Sequence, residues 1–147
     1  MATHPIVISI TADGDSIDAA WNEVKPIAES LPKPGNSTFA RFFPTDACAT
    51  PILRMRGEYP HKSYLEANPD PSPSVISKAM RGGYVYFPGS TPIGRTFTIL
   101  RPLYVLGRVT VGGETVNQTN YYYVLEETQI IVPAGGKLVA LILSDIQ

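Results

Sequence analysis

The sequence has one cysteine, two histidines, little charge and no long apolar run. Each shortage removes a class of function. Cys48 alone cannot close an internal disulfide or build a zinc cluster. His4 and His61 are the only imidazole bases, and neither has an Asn or Asp orienter close by. Cys48 therefore reads as a small core or loop residue, not as a catalytic thiol. No stretch reaches the ~18 apolar residues a membrane span needs. The start "MATHPIVISITADG" lacks the basic n-region and apolar run of a secretory signal. Without secretion, the N-x-S/T sequons at Asn36 and Asn117 carry little weight. Gly82, Gly83, Gly89 and Gly94 have neither the spacing of a phosphate loop nor a helix after them, so they read as turn makers. No pair of carboxylates sits in a setting that suggests glycosidase work. The chain is not read as an enzyme.

Charged residues make up 17% of the chain and apolar residues 44%. The charged share lies below the ~25% usual for globular domains. Such a lean surface suits packing against copies of the same chain, so a homo-oligomer is expected. The net charge of −1 also hides a segregation. Residues 1–53 hold six acids and three bases, and residues 109–147 hold four acids and one base. Residues 54–108 hold eight bases (Arg54, Arg56, Lys62, Lys78, Arg81, Arg95, Arg101 and Arg108) against three acids. A basic middle is consistent with an anionic partner such as nucleic acid or a sulfated or sialylated glycan. The simpler reading is a set of solvent-facing strand residues paired with acids from both ends. There is no dense Lys/Arg cluster and no basic N-terminal arm, so the simpler reading is taken and nucleic acid is not expected as a partner.

At 147 residues the chain is expected to form one domain, residues 1–147. "PIVISIT" alternates as a strand. Ile17, Ala20, Trp21, Val24, Ile27, Ala28 and Leu31 follow helical spacing. Pro26 should kink or split this helix. "STFARFF" and "PILRMRG" read as strands, "EYPHKSYLEANPDPSPS" as a loop, and "PSVISKAMRGG" as room for one helical turn. From residue 83 onward the signal is nearly continuous β. Pro102 requires a bulge, an edge or a strand start, and "VGGET" offers a Gly-Gly hairpin turn. Along the last run, Leu138, Ala140 and Ile142 share one face while Val139, Leu141 and Leu143 share the other. Both faces are apolar, which predicts a central strand covered on both sides. The fold class is mainly β: an antiparallel sandwich, jelly-roll-like, with one N-terminal helix.

Two clusters stand out as candidate sites. Asp13, Asp15 and Asp18 surround a glycine and suggest a calcium loop. However, the position where such a loop needs its bidentate Glu holds Val24, and a helix N-cap explains the same acids. The reading is therefore no cofactor, with the cap preferred to calcium. Tyr121, Tyr122 and Tyr123 alternate faces on a strand. Tyrosine is amphipathic and common at contact surfaces, so these three are the candidate binding residues.

The runs "GRTFTILRPLYVLGRVTVGG" and "YYYVLEETQIIVPAGGKLVALILSDIQ" resemble the terminal strands of capsid proteins of small non-enveloped RNA viruses. Over roughly residues 83–147 the pattern is similar to the protruding domains of nodavirus-like and tombusvirus-like coats. That resemblance implies a compact β-sandwich in the virion that self-assembles as a spike and meets a host glycan or receptor. The other readings are a carbohydrate- or receptor-binding sandwich, as on a phage tail, and, last, an enzyme.

Overall fold

The computed structural model describes residues 7–11, 17–52, 80–94, 98–124 and 126–144. Ten strands are present among them: β1 (Val7–Thr11), β2 (Phe39–Phe42), β3 (Met80–Tyr86), β4 (Gly89–Ile93), β5 (Thr98–Leu106), β6 (Thr110–Val111), β7 (Glu114–Thr115), β8 (Asn120–Val124), β9 (Thr128–Val132) and β10 (Lys137–Ser144). The long helix, α1, spans Ile17–Ser30.

The last eight strands pair as a nest. β6 pairs with β7, β5 with β8, β4 with β9 and β3 with β10, all antiparallel. The chain is thus one long hairpin with its tip at Gly112–Gly113. Both tip residues have positive φ, 56° and 85°, which glycine adopts without a Cβ penalty. The hairpin is then rolled so that β10 also pairs with β5, and β9 with β6. This is the jelly-roll topology. β1 extends one sheet beside β8, and β2 extends it beside β3. The result is a six-stranded sheet, β1-β8-β5-β10-β3-β2, facing a four-stranded sheet, β4-β9-β6-β7.

The six-stranded sheet is covered on both faces, as the composition of β10 predicts. Leu138, Ala140 and Ile142 join Leu100, Tyr122, Ile130 and Val111 between the sheets. Val139, Leu141 and Leu143 join Ile99, Leu103, Tyr121 and Tyr123 beneath α1. The helix lays down Ala20, Val24 and Ala28, all buried and one turn apart, and the small side chains let it approach closely. Trp21 stacks on Tyr104 of β5, with centroids 4.7 Å apart and planes 6° from parallel. α1 runs undivided through Pro26, whose side chain is exposed. A mid-helix proline costs ~3 kcal/mol, and the buried stripe on either side of it offsets that.

β5 carries Pro102 and a bulge. Against β10 the register shifts between Val139, opposite Tyr104, and Ala140, opposite Pro102, leaving Leu103 as the extra residue. Among the described residues, pairing with β8 covers Thr98–Leu100 and goes no further along β5. The second proline in a strand, Pro92, lies in β4, an edge of the smaller sheet, where a missing donor is tolerated.

One further expectation is corrected. "PILRMRG" is not a strand at its start: residues 49–52 are helical, following a short 3-10 turn at Asp46–Cys48, and Ile52 is buried beneath α1. A short apolar run does not distinguish strand from helix by itself. Residues 53–57, the Pro-rich loop and most of "PSVISKAMRGG" lie outside the described residues, although Met80–Gly83 of that run begin β3.

Glu23 of α1 ties this turn to the helix by accepting the Ala47 backbone N–H at 2.9 Å. A hydrogen bond from the Thr45 side chain, and after it the one from Ala47, hold its carboxyl below its ordinary pKa. A depressed carboxylate pKa stabilises the native state above the unfolded value, and the gain is lost as pH falls through the folded value. Protection of the Ala47 amide against hydrogen exchange should therefore fall as pH drops below about 4.5. Glu23→Gln should flatten that dependence. An unchanged profile in the variant would show that Glu23 is not the responsible group.

Candidate binding site

The structure places the three candidate tyrosines in the interior. Tyr121 and Tyr123 point beneath α1 and Tyr122 points between the sheets, and all three are fully buried. The Tyr122 hydroxyl accepts the Asn117 N–H at 2.8 Å and donates to the Thr115 carbonyl at 3.1 Å, fixing the β7–β8 loop. The alternation read from the sequence is present, but the residues fill cores and do not line a surface. Their strand, β8, lies between β1 and β5, and nothing in a tyrosine triplet reveals such double cover.

Asp13 and Asp15 lie outside the described residues. Asp18 sits exposed in the first turn of α1, where an acid complements the helix dipole. Among the described residues no group of three or more His, Cys, Asp or Glu side chains is placed to hold a metal. Cys48 is buried beneath α1. Of the eight central bases only Arg101 and Arg108 have described side chains, and they differ. Arg108 is exposed, whereas Arg101 is 1% exposed, so the solvent-facing reading does not apply to it.

A site that the sequence did not suggest lies where the sheets differ in width. β2 and β3 of the larger sheet, together with β4 at the edge of the smaller one, bound a cleft of about 630 Å³. Pockets of 300–1,000 Å³ are the usual size for small-molecule sites. One wall carries Phe39, Tyr84 and Tyr86. Phe39 stands opposite Tyr86 across the strand pair, and Tyr84 follows two residues before Tyr86 on the same face. The Tyr84 and Tyr86 rings lie 5.9 Å apart and nearly parallel, and the Phe39 ring is tilted against both. The other wall is Thr91, Pro92 and Ile93 of β4. One end is tied by a hydroxyl–hydroxyl hydrogen bond between Thr38 and Thr91, and by the Phe87 N–H donating to the Thr38 carbonyl at 2.8 Å. Gly94, Thr98 and Glu127 also line it, and Ile142 reaches it from β10.

No family model, curated protein or solved structure matches this chain. The geometry must speak for itself.

Two adjacent glycines of β3 make room for aromatic rings, one on each face of the sheet. Gly83 lies opposite Phe42, and a Cβ there would run into the Phe42 ring. Gly82, on the cleft side opposite Ile142, would place a Cβ 3.1 Å from the Tyr84 ring. The missing side chain leaves that ring room. Arg41 reaches over the same ring: its guanidinium lies 5.4 Å from the Tyr84 centroid, within cation–π range. Arg41 and Glu127 are exposed at the rim, while Thr91, Thr98 and Tyr86 are buried. Burial, with Tyr84 adding to it, pushes the Tyr86 phenol well above its ordinary pKa, and nearby Arg41 opposes the shift. Tyr86 therefore stays a neutral hydroxyl. Among the described residues the cleft offers aromatic faces, buried neutral hydroxyls and one charge of each sign at the mouth. It can bind and orient a polar small molecule, and among the described residues its lining contains no nucleophile–base pair.

Proposed function

We propose that this jelly roll is a structural, self-associating domain of a virus-like shell or spike. The supporting observation is the outward face of the four-stranded sheet. Ser90, Ile131, Thr110 and Thr115 form a row across it in register, with Pro92 and Gln129 forming the next. None of these six side chains is charged, and Ile131 is 50% exposed near the middle. A two-fold copy would bring this face against itself with no like-charge repulsion, and Ile131 would supply an apolar anchor. The fold adds an analogy only, since jelly rolls serve as viral shell subunits but also as lectin and cupin domains. The tyrosine triplet lends no support, because its side chains are buried.

Light scattering and sedimentation test the proposal. The expected mass is a multiple of 16.0 kDa. Ile131→Lys should shift the population to monomer with little change in melting temperature. A wild-type protein that stays monomeric at high micromolar concentration would sink it.

A second reading has its own observation. The cleft between β2–β3 and β4 favours a carbohydrate- or receptor-binding module, alone or as the attachment site of a spike. A glycan screen tests it: binding that Tyr84→Ala removes supports the reading, and a blank screen rejects it.

A further inference from the structure

Resting on that second reading, we infer that the cleft is built for an acidic sugar, a polyhydroxylated ring bearing a carboxylate. Three observations select this class over its neighbours. The first is Arg41. Its guanidinium is held against the Tyr84 ring, and among the described residues it forms no ion pair. A planar fork of donors parked on an aromatic face at a cleft mouth is ready for a carboxylate, which it can bind in bidentate fashion.

The second observation lies deeper. Tyr86 is 4% exposed and lines the cleft, and its hydroxyl makes no hydrogen bond to another described residue. An apolar occupant such as an acyl chain would seal that hydroxyl away from water without a partner, at a cost of about 1–3 kcal/mol. A ligand hydroxyl would satisfy it. The buried floor residues Thr91 and Thr98 are likewise polar.

The third observation is the count of charges. Among the described residues Arg41 is the only cation lining the cleft, and Glu127 stands on the same lining. A nucleic acid strand would need a track of cations along its phosphates. One carboxylate matches one guanidinium, and Glu127 can accept from sugar hydroxyls. The Tyr84–Tyr86–Phe39 wall then packs the C–H face of the ring with its aromatic faces.

The test is titration of the protein with methyl glycosides, followed through its backbone amide resonances. The probes are the methyl glycosides of N-acetylneuraminic acid and glucuronic acid, methyl galactoside as the neutral sugar, and sodium acetate as the bare anion. Acidic glycosides should shift amides of β2, β3 and β4 and bind at least tenfold more tightly than methyl galactoside. Arg41→Ala should weaken the acidic glycosides at least tenfold and leave the neutral one unchanged, with Arg41→Lys recovering part. Tyr86→Phe, which keeps the ring, should weaken both classes several-fold. If acidic and neutral sugars bind equally and Arg41→Ala changes nothing, the inference fails while the sugar-binding reading stands. If acetate binds as well as the acidic glycosides, Arg41 is a simple anion site and the inference again fails. If no sugar binds, both fall together.

Discussion

Leu141→Ala and Leu138→Ala should each lower the unfolding free energy by about 2–5 kcal/mol, the usual cost of truncating a buried leucine. The two residues sit three apart on β10 and point to opposite faces. Leu138 fills the space between the sheets, and Leu141 fills the space beneath α1. In a two-layer sandwich one of them would face water, and its loss would change stability by no more than ~0.5 kcal/mol. Equal, large penalties are thus the signature of a sheet covered twice. Because β10 pairs with β3 on one side and β5 on the other, removing the chain from Leu138 onward should abolish cooperative unfolding altogether. Urea denaturation followed by circular dichroism reads all three. A leucine variant within ~0.5 kcal/mol of the parent would mean that its face of the sheet is not packed in solution.

That double cover was legible because it is written in local composition. A strand apolar at every position from Leu138 to Leu143 has no polar face to give to water. The hairpin tip was legible for a similar reason, since Gly112–Gly113 is a two-residue signal between strands. The depth of Tyr121–Tyr123 was not. Alternation tells which residues share a face but not what lies over that face, and a tyrosine with a buried hydroxyl bond looks in sequence like one at a surface.

The cleft was the least legible feature, because no local signal encodes it. Arg41, Tyr84 and Thr91 meet only because β2 adds to the outer edge of β3 and β4 falls short of covering it. That is a property of register between segments some forty residues apart in the chain. A motif search sees an Arg in one strand and a Tyr in another. In the proposed roles the two surfaces differ but adjoin at Pro92, which stands on the sheet face and in the cleft wall. The uncharged sheet face serves contact between copies, and the cleft at the edge of the smaller sheet stays open for a ligand. An Ile131→Lys monomer would then still bind through Arg41.

Arg101→Met should destabilise the protein by about 2–4 kcal/mol, although the residue was read as one of a solvent-facing basic set. Beyond Leu100, β5 no longer pairs with β8, and the guanidinium fills the resulting gap. Its Nη1 donates to the carbonyls of Gln118 at 2.6 Å, Asn120 at 3.1 Å and Pro102 at 3.3 Å, and its Cζ lies 5.4 Å from the Tyr121 centroid. Gln118 reciprocates, its side-chain amide donating to the Leu103 carbonyl at the bulge. Together these bonds stitch the start of β8 to the bulged half of β5. Methionine keeps the apolar stem but leaves the carbonyls without their donor, at about 1–3 kcal/mol for each one that water cannot reach. Removing the charge also removes its desolvation penalty, which offsets part of that loss. Arg101→Lys should recover some of the deficit, because an ammonium can still donate but lacks the planar fork. The comparison separates charge from geometry. A methionine variant as stable as the parent would place the guanidinium in solvent, and a lysine variant no better than methionine would show that the fork itself is required.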